Sequence, residues 1–108
     1  MSSVKAEGYT RVASTEEMPP GVTRKVAVEG RDVLLANIDG NYYAIGNLCT
    51  HEEGPLDEGM VYDYEVECPW HGSRFDLRTG EVTQGPAGRP EQSYDVRVEG
   101  KDILIKGT

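Results

Sequence analysis

The sequence predicts an antiparallel all-β domain, on three observations. Short runs rich in Val, Ile, Leu and Tyr are broken every few residues by Gly, Pro or Asp. Two of those breaks, at Asp39-Gly40 and around Gly100, have the chemistry of hairpin turns. No window holds an apolar stripe at helical spacing for three turns. At 108 residues the chain is expected to form one domain, residues 1–108, large enough for a core of its own.

Taken in order, Tyr9 to Ala13 is expected to be the first strand. Ser14-Thr15-Glu16-Glu17-Met18 reads as one capped helical turn, because Ser14 can cap it and Pro19 and Pro20 stop it. Thr23 to Glu29 alternates, with Val26 and Val28 on one face. Gly30-Arg31 can turn it into Val33 to Ile38, a more continuously apolar run. Asp39-Gly40 then leads into Tyr42 to Ile45. Tyr94 to Val98 and Ile103 to Ile105 form a last hairpin around Gly100. Between these pairs lies a loop-rich stretch, residues 46–89, which holds seven of the thirteen glycines. It is expected to contain one strand from Val61 to Glu67 and a short one near Arg74 to Leu77. Long ordered loops within a small domain usually carry function.

Charge narrows the partners. Nineteen acidic against eleven basic residues give a formal net charge of −8. That balance argues against nucleic acid, whose binding draws on a basic patch, and against an anionic membrane surface. It favours steering toward a basic protein partner. No hydrophobic run approaches the length of a membrane span, and Met1 to Arg11 lacks the apolar region of a secretory signal. The expected location is therefore cytoplasmic, where thiols stay reduced.

The two cysteines and two histidines of the chain all sit in Cys49-Thr50-His51 and Cys68-Pro69-Trp70-His71. A Cys49–Cys68 disulfide would leave both spaced histidines without a role. Four ligands on one tetrahedral zinc ion are a second reading, although C-x-H is tighter than the usual finger clip. A mixed-ligand iron–sulfur cluster fits the pair of Cys-plus-His clips better, since each clip can supply a sulfur to one iron and a nitrogen to its neighbour.

The residues around the clips resemble the Rieske family. They are Cys49-Thr50-His51, Cys68-Pro69-Trp70-His71-Gly72-Ser73, Phe75-Asp76 and Thr79-Gly80. The resemblance implies an antiparallel β-sandwich with a cluster-binding subdomain at about 46–89 inserted in mid-chain. It implies one [2Fe-2S] cluster, with Cys49 and Cys68 on the inner iron and His51 and His71 on the outer, electron-accepting iron near solvent. Gly54, Gly72 and Gly85 are expected to let backbone approach the cluster, and Gly85-Pro86-Ala87 matches the family's third, covering loop. Trp70 is expected to shield the cluster. High-potential members place a Ser and a Tyr hydroxyl on the cluster sulfurs; this chain has Ser73 but Phe75 at the second position.

Within the family, membrane-anchored respiratory subunits carry a further Cys in each clip loop, where this chain has Gly54 and Trp70. Oxygenases need a separate 2-His-1-carboxylate iron, which a chain with two committed histidines cannot build. What remains resembles the ferredoxin component of bacterial aromatic-ring dioxygenase systems. That implies an electron carrier, with no substrate of its own, between a flavin-dependent reductase and a terminal oxygenase; with no evident extra helix or arm, a monomer is expected. A Rieske-type small subunit of a larger oxidoreductase, such as nitrite reductase, and a zinc-stabilised interaction module are the alternatives. Glu52, Glu53, Asp57 and Glu58 beside the first clip are expected to form an acidic docking rim, with Leu48, Pro55, Trp70 and Pro86 as an apolar alternative.

Overall fold

A computed structural model describes residues 8–107, so the reading of Met1 to Arg11 lies largely outside the described residues. Its eleven strands form three antiparallel sheets. The first contains β1 (Tyr9–Ser14), β10 (Val96–Glu99) and β11 (Asp102–Lys106), in the order β1-β11-β10. The second contains β2 (Thr23–Val28), β3 (Arg31–Ile38), β4 (Asn41–Gly46) and β9 (Ser93–Tyr94), in chain order. The third contains β5 (Met60–Tyr62), β6 (Glu65–Glu67), β7 (Arg74–Asp76) and β8 (Val82–Gln84), also in chain order.

The turns follow from local chemistry. Asp39 (φ 56°) and Gly40 (φ 93°) both lie in the left-handed region, as a two-residue hairpin turn demands. Glu29 and Gly30 do the same between β2 and β3, so the turn falls one residue before the expected Gly30-Arg31. The predicted capped turn is a 3₁₀ turn, Thr15–Glu17. Ser14 caps it, with Glu17 reaching back to the Ser14 N–H as a capping box.

The apolar character of β3 has a simple cause: it is buried on both faces. Val33 and Leu35 face a core shared with Ala13, Met18, Val26, Val28, Ala44, Ile103 and Ile105, between the first and second sheets. Leu34 and Ala36 face the other way, into a core with Ile45, Leu56, Val66, Phe75, Leu77 and Ala87. Cys49 and Cys68 belong to this second core, so the second sheet is the floor on which both clips stand.

Two expectations are corrected. Val61 to Glu67 is not one strand: Asp63, at φ 55°, turns it into the hairpin β5–β6. Tyr94 to Val98 is also divided, with Tyr94 pairing to Ala44 and Val96 to Ile105, so the chain changes sheets at Asp95. β8 was not expected; it is a three-residue strand paired to β7 alone.

Candidate metal centre

Both clips are built from the same six-residue turn. In the first, Cys49 N–H donates to the Gly54 carbonyl at 2.8 Å and Glu53 N–H donates to the Cys49 carbonyl at 2.6 Å. In the second, Cys68 N–H donates to the Ser73 carbonyl at 2.7 Å and Gly72 N–H donates to the Cys68 carbonyl at 3.1 Å. The fifth residue of each turn is left-handed: Glu53 at φ 63°, Gly72 at φ 80°. Glycine takes that conformation freely, whereas Glu53 holds it at a cost of about 1 kcal/mol or more. The difference in spacing, C-x-H against C-x-x-H, is thus only where the histidine sits on a common frame.

That frame sorts the four side chains by depth. The cysteines open the turns and are buried, Cys49 at 1 % and Cys68 at 2 % exposure. They are free thiols, and burial, with the neighbouring Cys68 thiol adding to it, pushes the Cys49 thiol up. His51 and His71 stand at the tips and are exposed. Their rings meet edge to face, with centroids 5.0 Å apart. One ring nitrogen of each and a Glu52 carboxylate oxygen lie within 4.8 Å of one another. Glu52 Oε1 is 2.7 Å from His71 Nε2, a partner the sequence did not reveal.

The surrounding residues hold the turns together. A Cβ at Gly54 would stand 2.6 Å from Cys68 Sγ and 3.2 Å from the Trp70 ring, so glycine lets the two clips close on each other. Trp70 covers Gly54 with one edge yet remains 56 % exposed, which makes it a rim residue rather than a lid. Ser73 is fully buried, and its Oγ accepts the Ala87 N–H at 2.9 Å. Phe75 is fully buried in the core that contains both cysteines. Gly85 and Pro86 are exposed, and a Cβ at Gly85 would meet nothing nearer than 4.0 Å, so crowding does not explain that glycine. Gly72 is required for its φ rather than for space.

The segment from Gln84 to Glu91 bridges both turns. Gln84 Nε2 donates to the Gly72 carbonyl at 2.8 Å, and Thr50 Oγ1 donates to the Arg89 carbonyl at 2.6 Å. Leu48 and Pro55 form an isolated bridge at the base of the first turn, and Asn47 Nδ2 donates to Asp57 Oδ1 at 2.8 Å. Of the expected acidic rim, Asp57 is therefore turned inward, while Glu52, Glu53 and Glu58 are exposed. Of the expected apolar rim, Leu48, Trp70 and Pro86 are exposed and Pro55 is half-buried.

No helix among the described residues is long and apolar enough to cross a membrane. Residues 8–101 match the family model described as the Rieske [2Fe-2S] domain. The chain is 38 % identical over 98 residues to the biphenyl dioxygenase ferredoxin subunit of Pseudomonas sp. (strain KKS102), covering 90 % of each chain. It is 37 % identical over 99 residues to the ferredoxin component of the naphthalene 1,2-dioxygenase system of Pseudomonas aeruginosa, covering 92 % of this chain and 95 % of that one. Among solved structures, the ferredoxin of carbazole 1,9a-dioxygenase from Nocardioides aromaticivorans IC177 superposes with a TM-score of 0.91 at 39 % identity, over 94 % of this chain and 100 % of that one. On this agreement of sequence, fold and clip geometry, the chain belongs to the Rieske [2Fe-2S] domain family.

Proposed function

We propose that the protein is the ferredoxin component of an aromatic-ring dioxygenase system, a monomeric cytoplasmic carrier that takes one electron from a flavin-dependent reductase and delivers it to a terminal oxygenase. The observation that carries the reading is the split donor set: two buried sulfurs in one core cluster, with two exposed imidazoles that meet edge to face. One zinc ion asks for four equivalent tetrahedral positions, whereas a mixed-ligand cluster asks for this division into a sulfur end and a nitrogen end. Cys49 and Cys68 would hold the cluster at the core side, and His51 and His71 at the solvent side. When bound, the cluster supplies a site that accepts and releases a single electron.

The remaining work falls to the chain. Glu52 engages Nε2 of His71, which leaves Nδ1 for a metal and fixes the ring's orientation, the usual arrangement of a carboxylate behind a metal-bound imidazole. Burial of both thiols keeps water from the sulfur end. The exposed imidazoles put the electron's entry and exit at the surface. Leu48 and Trp70 flank them as apolar contacts, at 44 % and 56 % exposure, within a chain of net charge −8. Residues 46–89 act as the cluster-binding subdomain, with the β5–β8 sheet as the support for the second clip.

Relatives support the choice of partners: one solved structure is a complex of reduced oxygenase and oxidised ferredoxin in carbazole 1,9a-dioxygenase, whose ferredoxin-like chain superposes with a TM-score of 0.87 at 27 % identity. The test is spectroscopic and then kinetic. Purified protein is expected to be red-brown, with iron and acid-labile sulfide and a paramagnetic resonance signal on reduction. Electron delivery to its oxygenase should slow as salt rises, because acidic docking surfaces act mainly on association. Colourless protein, or zinc without iron, ends the reading; a flat salt profile moves docking onto Leu48 and Trp70.

A further inference from the structure

Beside the first clip lies a cavity of about 430 Å³ that holding a cluster leaves without a use. Its walls include Asn47, Leu48, Glu91 and, from β9, Tyr94. That volume suits a small organic group rather than a single water. The backbone around it is fixed, since the Glu91 N–H donates to the Gly80 carbonyl at 2.8 Å and the Gly46 N–H donates to the Gln92 carbonyl at 2.9 Å. A Cβ at Gly46 would stand 2.6 Å from Glu91 Oε1, so the glycine at the end of β4 leaves the carboxyl its place.

Two of the lining side chains carry an oxygen with nothing to accept from. Glu91 is 7 % exposed and Asn47 is 1 % exposed. Neither Glu91 Oε2 nor Asn47 Oδ1 has a hydrogen-bond partner. The Asn47 amide cannot turn over to help, because its Nδ2 already donates to Asp57 Oδ1 at 2.8 Å. Buried acceptors without donors are costly and uncommon.

The chain supplies no cation to answer them. Among the described residues, neither Glu91 nor Asp32, an exposed acid of β3 on the same cavity, takes part in an ion pair. Arg31 also lines the cavity, but its Nη1 reaches Gln92 Oε1, at 3.4 Å, instead of either acid. Burial outweighs the attraction of Arg89 and pushes the Glu91 carboxyl up to about 7. What is missing is a donor that carries positive charge. A metal ion fits poorly, since the described residues that bring three metal-ligating side chains together are His51, Glu52 and His71, outside this cavity. A basic side chain fits well: its head donates several hydrogen bonds, and its aliphatic stem packs on Leu48 and the half-buried Tyr94. Leu48 is 44 % exposed and precedes Cys49, so it joins the cavity to the surface on which His51 stands. A chain of net charge −8 draws such a partner in.

We propose, on the electron-carrier reading above, that this cavity is a socket for one lysine or arginine side chain of the protein that docks on the imidazole face. Glu91 is its counter-charge and Asn47 a second acceptor. The Glu91 carboxyl turns about its soft terminal bond to present Oε2 to the incoming donor. The socket fixes where the partner sits, because the cation enters beside Leu48 while the imidazoles meet the neighbouring surface.

The full chain carrying its cluster is used throughout, and its visible absorption is read first. Colourless protein overturns the parent reading and the docking role with it; coloured protein that ignores the probe overturns the socket alone. The probes are n-butylguanidinium and its uncharged analogue n-butylurea, at millimolar concentration and about pH 8, where the Glu91 carboxyl is ionised. n-Butylguanidinium should raise the wild-type thermal midpoint by a few degrees, and n-butylurea should not. Glu91→Gln should lose that rise and keep the visible absorption. With the protein's own reductase or oxygenase, Glu91→Gln should raise the KM for the ferredoxin by about 30-fold or more at unchanged kcat. Where Glu91→Gln fails to fold, Asp32→Asn at the exposed mouth serves, with a smaller rise in KM and a smaller response to n-butylguanidinium. Equal responses to the two probes, a response retained in Glu91→Gln, or a KM unchanged with both partners overturns the assignment.

Discussion

Gly54 lies against Cys68 and Trp70 of the second clip, and Gly54→Ala measures how closely the two turns pack. The new methyl would stand 2.6 Å from Cys68 Sγ and 3.2 Å from two atoms of the Trp70 ring. Ordinary contact needs about 3.5–4.0 Å, so the first turn must retreat by about 1 Å or Cys68 must leave its rotamer. The backbone itself tolerates alanine, because Gly54 has no left-handed φ. The whole effect is therefore crowding, and overpacking of a filled site costs about 1–3 kcal/mol. Expressed as cluster retention, that is a loss of about 5- to 150-fold in the lifetime of the visible absorption on mild heating. Iron content per chain gives the same answer at equilibrium. Gly88→Ala is the control, since a Cβ at exposed Gly88 meets nothing within 4 Å and should change neither reading. A Gly54→Ala protein with wild-type iron content and lifetime would show that the turns can separate freely, and would refute the claim that their closeness holds the site.

The other expectations concern the same neighbourhood. Ser73→Ala strips the buried Ala87 N–H of its acceptor, so unfolding should become easier by about 1–3 kcal/mol, and an unchanged thermal midpoint would show that the covering loop is held by something else. The cluster midpoint should sit near the low end of the Rieske range, about −150 mV, and Phe75→Tyr should raise it by offering a hydroxyl to the sulfurs; an unmoved midpoint in a folded variant removes Phe75 from the account. Glu53→Gly relieves the left-handed φ of 63° and should stabilise the first turn by about 1 kcal/mol, seen as slower bleaching, which a faster rate would contradict. Glu91, raised from 4.5 to about 7, binds its proton more tightly folded than unfolded, so wild-type stability should fall by about 3 kcal/mol as pH rises between those values; Glu91→Gln should lack that fall, and parallel thermal profiles would refute it.

How much of this was legible depends on whether local chemistry or distant packing decides a residue's fate. Asp39-Gly40 announced its hairpin because only a few residue types accept two consecutive left-handed positions. The continuous apolar run of β3 showed that it was buried, though its division between two cores becomes clear only once sheets lie on both faces. The β5–β6 turn was hidden because Asp63-Tyr64 interrupts the run Val61 to Glu67 without glycine or proline. β8 was hidden because one half-buried and two exposed residues pairing with one neighbour carry no pattern of their own. In the site, Cys49, His51, Cys68 and His71 stood out by chemistry alone. Glu52, Thr50 and Gln84 did not, because their roles come from partners 12 to 39 positions away in sequence, brought near by the fold.

The repeated six-residue turn explains why buried sulfur and exposed nitrogen go together. In each turn the first residue closes the ring of hydrogen bonds with both its N–H and its carbonyl, so it must lie at the base, against the core. The third and fourth residues lie at the crest and cannot be covered by their own loop. Cysteine at the first position therefore sends a thiol inward, and histidine at the third or fourth sends an imidazole to the surface. Two such turns packed through Gly54 place thiol beside thiol and ring beside ring, without any long-range element choosing the pairing. For an electron carrier the consequence is a useful separation. The inward ligands belong to the same core as Leu34, Ile45, Val66 and Phe75, and can be lost only with the fold. The outward ligands belong to the surface, where a partner can reach them without the domain opening.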